Sequence, residues 1–170
     1  DLGAGDLFIK GGNALDHNEY VGILLGSPVG GTIGQALGPL SARGVEILVP
    51  IGLEKMIPSV PEAAKLLGIN RLNLSIGMAC GMQIVTGATV LTEVKALAVL
   101  TGCQVTAVSA GGIGSSAGSI SLAFAGQPEQ FEHAVKVIIE DIKGEPPLAD
   151  NARNCPCENP CQFGRPVNRS

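Results

Sequence analysis

The sequence predicts an α/β fold, a mostly parallel sheet with helices on both faces, followed by an irregular Cys-containing tail. Three observations lead there. Apolar runs of strand length alternate with helical patterns over short connections. The strand candidates are continuously apolar rather than alternating, as expected of strands covered on both sides. Glycine is abundant at the joints: with 24 Gly and 11 Pro in 170 residues, backbone punctuators exceed the usual share of about 12%.

The first strand candidate is Asp6-Leu-Phe-Ile-Lys10, closed by Gly11-Gly12. A turn over Asn13 to Asn18 leads to a second apolar run, Tyr20 to Leu25, closed by Gly26-Ser27-Pro28. Gly30-Gly31-Thr32 opens a helix with Ile33, Ala36, Leu37 and Leu40 at helical spacing, stopped at Arg43-Gly44. Gly38-Pro39 inside it predicts a kink or a break. Val45 to Pro50 is a strand. Pro61 then occupies the first turn of a short helix over 62–67, capped by Ser59 or Val60.

Arg71 to Ile76 alternates polar and apolar, the pattern of a half-buried strand. Between Gly77 and Thr89, three glycines among Met78, Cys80, Met82, Ile84 and Val85 suit close sheet packing better than a helix. Thr92-Glu93 starts a helix that Gly102 stops. Val105–Ser109 and Ser119–Ala125 are strands on either side of a Gly-rich loop. Pro128 to Lys143 is the clearest helix, with Phe131, Val135, Ile138, Ile139 and Ile142 on its apolar face. Residues 1–145 read as one α/β domain and 146–170 as a Pro- and Cys-rich tail. The chain opens on Asp1 rather than Met, so a missing natural N-terminus is expected.

Composition excludes several functions. Net charge is −4 and aromatics are 3%, which argues against nucleic acid as a partner. No apolar run reaches the roughly 18 residues of a membrane span, and no signal-peptide pattern opens the chain; a cytoplasmic location is expected. Charged residues are 15%, against about 25% on average. So pale a surface predicts burial against a partner subunit in a homo-oligomer.

Three Gly-rich segments are candidates for a small anionic ligand. Lys10-Gly11-Gly12-Asn13 ends a strand, where backbone N–H groups and a lysine can meet an anion; a tight turn with a solvated Lys reads equally from the residues. Ser27, Gly30, Gly31 and Thr32 sit where a strand passes into a helix, a natural cradle for phosphate or carboxylate; glycines that only satisfy loop geometry are the alternative. Gly111, Gly112 and Ser115 belong to a third such loop, or to a plain crossover. Asp16 and Glu19 flank His17 near Lys10 and are general-base candidates. Glu93 at a helix start suits a capping role, and His133 reads as a surface residue. Cys155, Cys157 and Cys161 form a C-x-C-x₃-C run that could hold zinc or an iron–sulfur cluster, or could be plain thiols.

Asp6-Leu-Phe-Ile-Lys-Gly-Gly-Asn-Ala-Leu15 resembles the Asp-x-x-x-Lys-Gly-Gly-Gly-(Gly)-Ala-Leu signature of ribose-5-phosphate isomerase. Leu48 to Glu62 is similar to a segment of lactate-utilisation domains, which share a fold superfamily with coenzyme A transferases. The resemblance implies an isomerase or transferase type of enzyme, with Lys10 as substrate-binding lysine and Asp16 or Glu19 as candidates for the catalytic carboxylate. A sugar phosphate, an acyl-CoA or a small carboxylate is the implied ligand. The isomerase's upstream Asp-Glu-x-Asp cluster is absent, and Leu2-Gly-Ala-Gly5 stands there. A non-catalytic ligand sensor or assembly subunit is therefore the second reading, and a metal or iron–sulfur protein the third.

Overall fold

The computed structural model describes residues 2–143. They form two compact units, one of residues 2–51 with Lys55–Val90, the other of Gly52–Glu54 with residues 91–143. Helices and strands are mixed in an α/β composition. No described helix is long and apolar enough to cross a membrane.

In the first unit, Leu7–Ile9 (β1) runs parallel to Glu46–Pro50 (β4), with Phe8 opposite Ile47, and Thr89–Leu91 (β6) completes that sheet in the order β1-β4-β6. A second sheet orders Ala14–Leu15 (β2), Val21–Leu25 (β3) and Gly81–Val85 (β5), and both of its pairings are antiparallel. The parallel pairing expected is thus present in the first sheet, and the second sheet departs from it. β2 returns directly into β3 through a tight turn over 16–20, too short for the crossover that parallel neighbours require. Glu19 makes that turn by adopting φ 59.

Gly31–Arg43 (α1) buries Ile33 and Leu40, and Gly44 ends it at φ 68 with its N–H on the Leu40 and Ser41 carbonyls. Of the kink or break expected at Gly38-Pro39, the break does not occur. A proline clashes with the Cβ of the residue before it, and Gly38 has none, so the helix runs through. Val60–Leu66 (α2) begins as expected, with the Ser59 hydroxyl accepting the Glu62 N–H. The strand expected over 71–76 is absent. Gly68 accepts N–H bonds from Arg71 and Leu72, which curls the chain into turns, and Ile76 is 99% exposed.

The second unit holds Glu93–Thr101 (α3), Gln104–Gly111 (β7), Ser119–Ala125 (β8) and Pro128–Lys136 (α4), which continues as a π-helical segment over Val137–Ile142. β7 and β8 form an antiparallel two-stranded sheet. Its core is Leu97, Cys103, Val105, Ala134 and Val137, with Leu122, Phe124 and Ile138 against it. The apolar face expected on the last helix is turned. Ala134 and Val137 are buried, whereas Phe131, Val135, Ile139 and Ile142 are exposed. Phe131 and Val135 lie in the regular α-helical part, so the face is already turned there, and the π segment changes the spacing only from Val137 on.

Candidate functional site

Lys10 leaves β1 with its N–H on the Leu48 carbonyl, which continues the β1–β4 ladder. Its Nζ donates to the Gly11 carbonyl at 3.3 Å. Lys55, which the sequence reading missed, donates its Nζ to the next carbonyl, that of Gly12, at 3.0 Å. Two ammonium groups thus bracket one Gly-Gly pair. Gly11 has open space where a Cβ would stand, but at Gly12 a Cβ would sit 2.5 Å from Val21 Cγ1 and 2.7 Å from Ile51 Cδ1. Gly12 is a packing glycine. Asn13 Oδ1 accepts the Leu24 N–H at 3.0 Å, and the Asn13 N–H donates to the Gly22 carbonyl, so both groups serve the β2–β3 junction.

Asp16 is buried at 2% exposure. Its Oδ1 accepts the N–H groups of Asn18 and Tyr20, and its Oδ2 that of Val60 at 2.9 Å. Burial raises its pKa, but the bonds from Val60, Asn18 and Tyr20 and the nearby His17 outweigh it, so the carboxyl is held below its ordinary value. This is the environment of a structural anion at the start of α2. Glu19 lies exposed in the same turn, its N–H on the Asp16 carbonyl.

The strand-to-helix loop of the first unit borders a cleft of about 600 Å³ lined by Leu25, Ser27, Pro28, Gly30, Ile69, Asn70 and Gly81. Ser27-Pro28-Val29-Gly30 is a β-turn closed by the Gly30 N–H on the Ser27 carbonyl at 2.9 Å, with Pro28 in its second position. Gly30 is the N-cap of α1 at φ 77, and Gly31 follows at φ 59. A Cβ on Gly30 would come within 3.0 Å of the Gly34 Cα. The helix start has no side-chain cap and no acidic residue in its first turn. The first-turn N–H groups of Gly31, Thr32 and Ile33 therefore keep the positive end of the helix dipole without an acidic side chain to offset it. Thr32 is exposed. The cleft combines this helix end with the Ser27 hydroxyl and the Asn70 amide, and its lining holds no ionisable side chain.

Of the expected residues, Ser27 and Gly30 line this cleft, Gly31 and Thr32 form the adjoining helix turn, and Lys10 is not among the lining residues. Asn70 and Ile69 were missed, because residues 69–70 precede a segment that reads as a strand. Gly111, Gly112 and Ser115 belong to the second unit. There the Gly-rich stretch is the loop of the β7–β8 hairpin, including a 3₁₀ turn over Gly114–Ser116, and not a crossover. Gly112 has φ 116, and a Cβ on it would collide with the Ser116 carbonyl, so this glycine closes the hairpin. The Ser115 side chain lies outside the described part.

Glu93 reaches beyond its own helix: both carboxylate oxygens accept the N–H of Leu53, at 3.2 and 2.9 Å, while Thr92 caps α3. His17 is exposed, and His133 Nε2 lies 3.0 Å from the Leu100 carbonyl. Cys155, Cys157 and Cys161 lie outside the described residues. Among the described residues no group of three or more His, Cys, Asp or Glu is placed to hold a metal ion. No family model, curated protein or solved structure matches the chain.

Proposed function

We propose that the first unit binds a small anionic ligand in the cleft at the start of α1. The observation that carries this reading is the coincidence of a roomy cleft with a helix N-terminus that lacks any capping side chain or acid. Ser27 and Asn70 supply side-chain polar groups, and Leu25, Pro28 and Ile69 supply apolar walls. A sugar phosphate, an acyl-CoA ester or a small carboxylate fits such a mixture.

Binding without turnover is the favoured form of this proposal. The cleft lining offers no carboxylate or imidazole, and Asp16 is already committed to three backbone donors. An isomerase or transferase needs a general base within reach of the ligand, so enzymatic activity is the second reading, resting on the resemblance around Lys10.

Thr32→Asp tests the site. An aspartate in the first turn of α1 complements the helix dipole, so the ligand-free protein gains about 0.3–1 kcal/mol. The same charge repels an anion at that end. Thermal unfolding with inorganic phosphate, a sugar phosphate, acetate and acetyl-CoA should show a ligand-dependent rise for the wild type that Thr32→Asp loses. Ser27→Ala and Asn70→Ala should weaken it. No rise with any of these anions, or an undiminished rise in Thr32→Asp, overturns the proposal. Turnover of a bound ligand would move the assignment to the second reading.

A further inference from the structure

The sequence from Ala96 to Pro128 contains no Asp, Glu, Lys, Arg or His. It includes the whole β7–β8 hairpin, a sheet of two strands among the described residues. Exposed strand edges normally carry charges, prolines or bulges that discourage pairing. β7 has such a device, an irregularity in its register between Ala107 and Ser109. β8 has none: it is regular, uncharged and free of proline.

The residues of β8 also have a symmetry. Ser119-Ile-Ser-Leu-Ala-Phe-Ala125 alternates small and large side chains, and the alternation is the same read from either end about Leu122. Burial follows it, with Ile120, Leu122 and Phe124 half-buried and the small residues exposed. Two copies of this strand paired antiparallel about a two-fold axis at Leu122 would set Ile120 opposite Phe124 of the other copy, and Ser121 opposite its Ala123. Every large side chain then stays on the core face in both copies, which register demands. A two-fold interface sets a residue near the axis against its own neighbourhood, so any charge there would meet a like charge. β8 has no charge to repel.

We infer that β8 is an edge-to-edge interface with a second copy of this chain, paired antiparallel about Leu122 to give a continuous sheet in the order β7-β8-β8-β7.

The test is the oligomeric state of the full chain by sedimentation. The wild type should be a dimer at about 100 μM, a concentration above the Kd of a specific interface. Ser121 and Ala123 are exposed in the single chain, so charges there leave its core intact. The double variant Ser121→Lys with Ala123→Lys should be monomeric, and so should Ser121→Glu with Ala123→Glu. A mixture of the two should restore a one-to-one dimer. Hydrogen exchange of the unaltered chain gives a second readout: β8 amides should gain protection at least tenfold between dilute and concentrated samples. A monomeric wild type, dimers that persist in both charged variants, a mixture that stays monomeric, or β8 exchange independent of concentration overturns the inference.

Discussion

The Asp16 carboxylate accepts the Val60 N–H at 2.9 Å and so joins the β2–β3 turn to the first residue of α2. Its other oxygen holds the turn itself through Asn18 and Tyr20. One buried side chain thus fixes a hairpin turn and a helix start. Removing it leaves N–H donors without an acceptor, which costs about 1–3 kcal/mol for a buried group. Asp16→Ala should therefore lower unfolding stability by about 3 kcal/mol at neutral pH, measured by urea titration.

The same carboxylate predicts a pH dependence. Its folded-state pKa lies below its ordinary value, so the unfolded chain takes up the proton first. Its contribution is complete above about pH 4 and is lost as pH falls through the lower folded value. The stability gap between wild type and Asp16→Asn should be constant from neutral pH to about pH 5 and narrow below about pH 4. A gap that does not change down to about pH 2 contradicts the assignment.

Neighbouring glycines should respond differently to alanine. At Gly12 the new methyl meets Val21 and Ile51 at 2.5 and 2.7 Å, while at Gly11 it meets nothing within 4 Å. Overpacking of this kind costs about 1–3 kcal/mol. Gly12→Ala should lose that much in chemical unfolding, and Gly11→Ala should stay within about 0.5 kcal/mol of wild type.

Thr101 ties off the end of α3. Its hydroxyl donates to the Leu97 carbonyl at 2.6 Å and accepts the buried Cys103 N–H at 3.2 Å. Thr101→Val keeps the shape and strands that N–H, at a cost of about 1–3 kcal/mol. Thr101→Ser keeps the hydroxyl and should lose less than about 1 kcal/mol. Equal losses in the two variants, read from urea unfolding, would assign the effect to packing instead.

Pro39 sits inside α1, where it withholds an N–H from the Gln35 carbonyl. A proline in a helix interior costs about 3 kcal/mol relative to alanine, offset in part by the smaller entropy of the unfolded chain. Pro39→Ala should raise stability by about 1–2 kcal/mol in thermal or urea unfolding.

Local signals made most of the helices legible. Arg43-Gly44, Ser59 with Pro61, Thr92-Glu93 with Gly102, and Pro128 all mark helix ends that the structure keeps. Strand partners were not legible, because apolar runs such as Val21–Leu25 carry no record of direction. Parallel pairing was inferred from burial, whereas the short turns after Leu15 and Gly111 impose antiparallel return. The 71–76 segment misled because alternation fits a strand only if a neighbour accepts its ladder, and the turn at Gly68 removes that chance. At the candidate site, Ser27 and Gly30 were legible from the strand–Gly–helix pattern. Asn70 was not, since tertiary folding brings it to the cleft from a loop with no motif. Lys55 lies in the segment over 48–62 whose likeness the sequence shows, but nothing there ties its ammonium group to the Gly12 carbonyl. Asp16 was legible as a notable carboxylate, but its role depends on Val60, distant in sequence.

The π-helical segment over Val137–Ile142 bears on tolerance to deletion. A π turn accommodates a residue more than the α-helix it interrupts. Loss of one exposed residue there, such as Glu140, would let the segment relax to α geometry and leave Ala134 in its core position. The same loss between Pro128 and Ala134 would rotate every later residue by about 100° and carry Val137 and Ile138 off the core. The end of this helix can therefore absorb a one-codon deletion that its beginning cannot.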